Sequence, residues 1–177
     1  MINRKIKPLS VSRLLLLALA VLVMAACGDS GEAESTELSA DTASIKIGMQ
    51  VYKSPSCGCC SEWIDHVEAH GFSVTATDSD RMIAIKHAYD IEPQYQSCHT
   101  ADVNGYVFEG HVPATVIQRF LADRPTNALG LAVPGMPIGS PGMEMGERFD
   151  DYDVLLLKTD GSSEVYQRID DNFRSGL

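Results

Sequence analysis

The sequence predicts a mixed α/β domain that runs on into an irregular Pro/Gly/Met-rich extension and ends in a closing β-hairpin. Three observations carry this. Stretches of strand alternation and of helical apolar spacing follow one another from residue 45 to residue 121. Two turn dipeptides, Asn104-Gly105 and Asp160-Gly161, each sit between alternating runs. Residues 129–146 then break regular periodicity with repeated Pro and Gly.

The 177 residues suffice for one domain with appendages, and a hydrophobic content of 45% is ordinary for a globular core. Arg4, Lys5, Lys7 and Arg13 precede an apolar run from Leu14 to Met24, and Ala25-Ala26 follow it. This is the basic, apolar and small-residue layout of a secretory signal, too short for a membrane span. Cys27, directly after those alanines, resembles the lipid-accepting cysteine of bacterial lipoprotein signals; the alternative is ordinary cleavage that leaves Cys27 a spare thiol. On either reading the expected location is the periplasm, on the first as a membrane-anchored lipoprotein. An exported compartment is oxidising, so paired cysteines there need a reductant, a metal or a task for their disulfide. Removing residues 1–26 takes away four positive charges and no negative one, so the net charge of −10 becomes −14. That acidity argues against nucleic acid or anionic lipid as a partner surface, and leaves membrane contact to the N-terminal lipid. Residues 28–44 are rich in Gly, Ser, Thr and Ala, with five acids and no aromatic or basic residue, which is the composition of a solvated tether.

In the domain itself, Ile45, Ile47, Met49 and Val51 alternate with polar or small neighbours, giving a strand that runs into Ser54-Pro55-Ser56. Three of the five cysteines come next, as Cys57-Gly58-Cys59-Cys60. Ser54 to Ser56 supply turn and capping residues, and Cys60, Trp63, Ile64 and Val67 follow at helical spacing. The thiols are therefore expected at the positive end of a helix that stops at Gly71. That end favours thiolate, which is both the nucleophile and the soft-metal ligand. Phe72, Val74 and Ala76 give a second strand, and Asp80 opens a helix with Met82, Ile85 and Tyr89 on one side. Ser97 to Val103 and Tyr106 to Glu109 flank Asn104-Gly105 as a hairpin. Pro113 starts a third helix, with Val116, Ile117, Phe120 and Leu121 facing the core.

A β-α-β start with a C-x-x-C pair at its first strand-to-helix junction is the cue for a thioredoxin-like fold, and the later elements keep that order. In such folds the residues ahead of the third strand, usually ending in a cis-proline, face the C-x-x-C. Here that place holds Ser97-Cys98-His99, which predicts a fourth sulfur aimed at the first three, without the proline that normally blocks metal there. Pro-Gly-Met occurs twice in the extension, at 134–136 and 141–143. Pro and Gly argue against a helix or central strand in residues 129–146, while Leu129, Leu131, Val133 and the methionines argue against disorder. The expectation is an ordered loop folded back over the cysteines that offers Met136, Met143 and Met145, whose thioethers suit Cu(I). The alternative is that these methionines fill a hydrophobic gap. Val154 to Leu157 and Val165 to Ile169 make the closing hairpin around Asp160-Gly161.

Cys57 and Cys60 can close a disulfide, and a plain redox enzyme needs no third thiol such as Cys59. His66 and His70 stand four apart on the first helix, a spacing that can hold a metal, although charged neighbours make a solvated flank the plainer reading. His87 reads as a surface residue. Strand alternation turns His99 away from the side that Cys98 faces. His111, ahead of the third helix, is the best-placed histidine.

Four pieces in this order, Cys57-x-Cys59-Cys60, Cys98-His99-Thr100, Glu109-Gly110-His111-Val112-Pro113 and Gly130-Leu-Ala-Val-Pro-Gly-Met-Pro-x-Gly-Ser-Pro-Gly-Met-Glu144, resemble the copper-resistance proteins called CopG over residues 49–166. The resemblance implies a thioredoxin-like domain whose C-terminal extension helps bind metal, a cysteine-bridged cluster of several copper ions, and interconversion of Cu(I) and Cu(II) in the periplasm. The domain plan is then a lipoprotein-type signal at 1–26, a lipid anchor and acidic linker at 27–44, a thioredoxin-like domain at 45–124, and a metal-binding loop with a C-terminal hairpin packed on it at 125–177. On this reading Cys57 and Cys60 are the expected redox pair; Cys57, Cys59, Cys60 and Cys98 are expected to bridge copper, Met136, Met143, Met145 and His111 to add ligands, and Cys27 to take the lipid. Copper ions are the expected ligand, periplasmic copper-export components are candidate partners, and a monomer is expected. Two rival readings stay open: a metal-free thiol-disulfide oxidoreductase, and a passive copper chaperone or store.

Overall fold

The computed structural model describes residues 45–174. The expectations for the signal, for Cys27 and for the linker concern residues outside that range. Within it the chain runs β1 (Ile47–Lys53), α1 (Gly58–Ala69), β2 (Phe72–Asp78), α2 (Met82–Ala88), β3 (Thr100–Val103), β4 (Tyr106–Glu109), α3 (Ala114–Asp123), β5 (Ala128–Ala132), β6 (Tyr152–Lys158), β7 (Ser163–Ile169) and α4 (Asp171–Arg174). The strands form one mixed sheet in the order β2-β1-β3-β4-β5-β6-β7. β1 is parallel to β2, β4 is parallel to β5, and the other neighbours are antiparallel. The first seven elements thus follow the order on which the thioredoxin-like expectation rests. Among the described residues no helix is long and apolar enough to cross a membrane.

Burial follows the sequence periodicity. Trp63 and Val67 of α1 and Val116, Ile117 and Phe120 of α3 are buried in one cluster with Val51, Phe108 and Leu131 of the sheet. Strand neighbours point to opposite faces, so Val107 and Ala132 turn the other way. There they meet Ile91 and Leu157 in a smaller cluster, with Tyr89 and Tyr95 against it. Burying a Val, Leu, Ile or Phe side chain contributes about 1.5–3 kcal/mol, so the larger cluster dominates the stability of the fold.

Two local expectations are corrected. Neither helix near the site uses the predicted polar cap: Cys57 occupies the cap position of α1 and Arg81 that of α2, and no side chain caps either. The reading that Pro and Gly exclude a central strand after residue 128 also fails, because β5 lies between β4 and β6. Leu131 and Val133 alternate onto the larger cluster, and a bulge between Ala128 and Gly130 accommodates the glycine and turns Leu129 to the other face. β6 and β7 carry the sheet on from β5, and Pro134 follows the strand closely enough to end it.

Candidate metal centre

β1, an interior strand, delivers the chain to a tight turn at its C-terminal end, where the Cys57 N–H donates to the Ser54 carbonyl at 3.0 Å. The helix then begins at Gly58, so Cys57, Cys59 and Cys60 all sit at its first turn, the positive end of its dipole. Cys57 and Cys60 are joined as a disulfide, with Cα atoms 5.4 Å apart. Cys59 is a free, half-buried thiol 3.6 Å from the Cys57 sulfur.

Cys98 is brought to the same place from 38 residues further along the chain. The sulfurs of Cys57, Cys59, Cys60 and Cys98 all lie within 4.8 Å of one another. The segment that presents Cys98 is held by the triplet Glu109-Gly110-His111. The Glu109 carboxylate accepts the Ser97 N–H at 2.6 Å, and the Gly110 N–H donates to the His99 carbonyl at 2.9 Å. Gly110 adopts φ +72°, and a Cβ there would stand 2.4 Å from the Ser97 Oγ. Only glycine gives that turn and that approach together. His111 completes the set, with Nε2 2.9 Å from the Cys98 sulfur.

The protonation of His111 follows from its partners. Its Nδ1 lies 2.7 Å from the Pro141 carbonyl, which can only accept, so Nδ1 carries the hydrogen and Nε2 offers a lone pair to Cys98. Burial also lowers the His111 pKa and so keeps the ring neutral. Burial first, and then the neighbouring Cys59, push the Cys98 thiol up to about 12. The proton therefore stays on sulfur, and Cys98–His111 is a neutral thiol–imidazole pair rather than the thiolate–imidazolium pair of a cysteine nucleophile. A soft cation that displaces that proton would find a sulfur and a nitrogen donor side by side.

His99 contradicts its expected orientation. Its Nδ1 lies 3.3 Å from the Cys98 sulfur, its ring packs tilted against Trp63 with centroids 4.3 Å apart, and it is fully buried. Alternation fails because β3 begins only at Thr100, so Cys98 and His99 lie ahead of the strand and its parity does not govern them. Cys98, His99 and His111 form a second donor group sharing Cys98, with ligand atoms within 4.8 Å of one another. His99 Nε2 has no hydrogen-bond partner among the described residues. Burial lowers the His99 pKa well below the usual histidine range. The other histidines stand elsewhere: His66 accepts the Ala114 N–H at 3.1 Å, His70 packs on His66, and His87 is exposed.

The Pro/Gly/Met loop does fold back over the cysteines, by two backbone contacts that use its repeated motif. The first glycine, Gly135, accepts from the Ser97 hydroxyl beside Cys98, and its N–H reaches the Gln96 carbonyl at 3.4 Å. The second, Gly142, has φ +81° and lies so close to α1 that a Cβ would be 2.7 Å from both the Cys59 carbonyl oxygen and the Trp63 nitrogen. Met143 is half-buried directly after that contact. Met136 and Met145 are more open, at 53% and 52% exposure. Lys86 was not singled out by its sequence: it is the buried residue of α2, more deeply covered than its apolar neighbours Met82 and Ile85, and lies against Glu109 at 2.5 Å.

With that geometry in hand, comparison with known proteins is informative. A family model described as "Protein of unknown function, DUF411" matches residues 95–143, the stretch from the approach to Cys98 through the second Pro-Gly-Met. A solved structure named "Copper resistance protein copG", Form 2, is 40% identical with a TM-score of 0.67, covering 71% of this chain and 99% of that one. Form 1 of the same name is 41% identical with a TM-score of 0.67, covering 70% and 98%. No curated protein matches the chain.

Proposed function

The chain belongs to the CopG family of copper-resistance proteins, and we propose that it is an exported copper-binding protein whose four clustered cysteines bridge several copper ions and exchange electrons with them. Family and cysteine cluster together support the copper-binding role. The observation that carries the finer reading is the arrival of Cys98 within 4.8 Å of the three sulfurs at the tip of α1. Four thiolates cannot each saturate a separate Cu(I), so ions that share them form a multinuclear cluster. His111 Nε2 adds a nitrogen donor, Met143 caps the cluster from the docked loop, and Met136 and Met145 offer thioethers at its open rim. His99, aimed at the same sulfur, joins this donor set.

The disulfide supplies the redox step. Opening the Cys57–Cys60 bond takes two electrons, which two Cu(I) ions can provide as they become Cu(II); the products are two thiolates. Closing it returns two electrons and converts two Cu(II) to Cu(I). Residues 1–27 support export to the periplasm with a lipid on Cys27, residues 28–44 support a tether, and components of copper export would receive the metal. The domain acts as a monomer.

The closed disulfide favours one second reading, a thiol-disulfide oxidoreductase that uses no metal. The two differ over Cys59 and Cys98. Cys59→Ser and Cys98→Ser should each abolish most Cu(I) retention against a chelator if the cluster exists, whereas an oxidoreductase working through Cys57 and Cys60 should keep its dithiol turnover in both. Copper valence, followed with protein far below the copper concentration and with a thiol reductant supplied to reopen the disulfide after each round, separates catalysis from storage once the rate without protein is subtracted. Conversion beyond the protein's own capacity supports the redox role, and conversion that stops at that capacity leaves a store.

A further inference from the structure

The strongest feature that this chemistry leaves unused is a buried ion pair behind Cys98. Lys86 is the buried residue of α2, at 4% exposure, and Glu109 is fully buried. Lys86 Nζ donates to Glu109 Oε1 at 2.5 Å and to Thr100 Oγ1 at 3.1 Å. The carboxylate also accepts the Ser97 N–H at Oε1 and the Thr100 hydroxyl at Oε2, both at 2.6 Å. Glu109 thus grips the residue before Cys98 and the residue after His99. Burying two charges is costly, and an apolar pair of similar volume often serves stability as well or better. An ion pair kept at that position, tied to both flanks of the fourth sulfur, points beyond stability.

We propose that Lys86 and Glu109 are positioning residues that set the reach of Cys98 towards the tip of α1. Lys86 neutralises Glu109 beside a group of four sulfurs and fixes the carboxylate; the carboxylate fixes Ser97 and Thr100; the segment between them then has one place to hold Cys98. The pair connects α2, which bears no cysteine, to the metal centre. This inference rests on the copper reading only for one of its two readouts.

The test uses the full chain, reduced, in the double variant Lys86→Met/Glu109→Leu, which removes both charges and leaves none unpaired. Iodoacetamide labelling of the metal-free protein, read site by site by mass spectrometry, should show Cys98 reacting about tenfold faster relative to Cys59. Cu(I) affinity, measured by competition with a chromophoric chelator, should fall about 10- to 100-fold, the loss typical when support for a metal ligand is removed. If the double variant does not fold, Thr100→Val is measured instead. It removes the hydroxyl shared by both partners, and a rise of about threefold in relative Cys98 labelling is expected. A folded variant with unchanged Cys98 labelling overturns the inference, whatever happens to its melting temperature or its copper affinity. Faster Cys98 labelling with unchanged Cu(I) affinity upholds the positioning and counts against Cys98 as a copper ligand.

Discussion

Cys98 keeps its proton at neutral pH, and that single fact shapes how metal must enter. Its pKa stands near 12 because burial disfavours the thiolate and Cys59 adds to the penalty. His111 accepts the S–H through Nε2 without taking the proton. A copper ion bound at Cys98 would have to expel it, and for each proton displaced below its pKa the apparent affinity rises about tenfold per pH unit. Cu(I) affinity measured between pH 6 and 9 should climb at least that steeply, and Cys98→Ser should flatten the slope by about one proton. The same raised pKa has the opposite consequence for the metal-free fold. The unfolded thiol ionises near 9.0 and the folded one near 12, so stability falls as pH rises across that window.

At the scale of elements, the candidate metal centre is a meeting of four pieces: the first turn of α1, the bend ahead of β3, the segment between β4 and α3 that carries His111, and the loop after β5. The loop is held by backbone fit at Gly135 and Gly142 more than by its methionines, two of which are half-exposed. Gly142→Ala would place a methyl group 2.7 Å from the Cys59 carbonyl and the Trp63 nitrogen. It should lower stability by about 1–3 kcal/mol, in the range of overpacked sites, and should weaken copper retention while far-ultraviolet circular dichroism stays unchanged. Much of this architecture is legible in sequence. Asn104-Gly105, Asp160-Gly161, the α1 and α3 periodicities and the convergence of Cys98 on the C-x-C-C tip all follow from local patterns and the element order. The misses have physical causes. β5 hides because a following proline looks like loop chemistry and a bulge breaks its alternation, leaving only Leu131 and Val133 on the core face. His99 escapes because strand parity does not apply one residue before the strand begins. Lys86 carries no local signal, since its burial depends on a carboxylate on the far side of a hairpin.

Across the whole molecule, the fold keeps several imidazoles neutral. Burial, with help from nearby His70, lowers His66 to about 4, and burial depresses His99 and His111 as well. The unfolded chain takes up those protons near 6.5 while the folded chain resists, so the unfolded state binds more protons below that pH. Stability should then fall as pH drops from about 6.5 towards 4, visible as a melting temperature that declines through that interval and a midpoint that His66→Gln shifts to lower pH. The seven-stranded sheet holds Cys98 and the α1 cysteines on neighbouring elements, with β3 paired directly to β1. The most direct test of the central claim is X-ray absorption at the copper edge on the reduced, Cu(I)-loaded chain and on its Cys98→Ser variant. Sulfur-dominated coordination with copper–copper scattering that disappears in the variant is the predicted result; nitrogen and oxygen coordination, or identical spectra from both proteins, would contradict it.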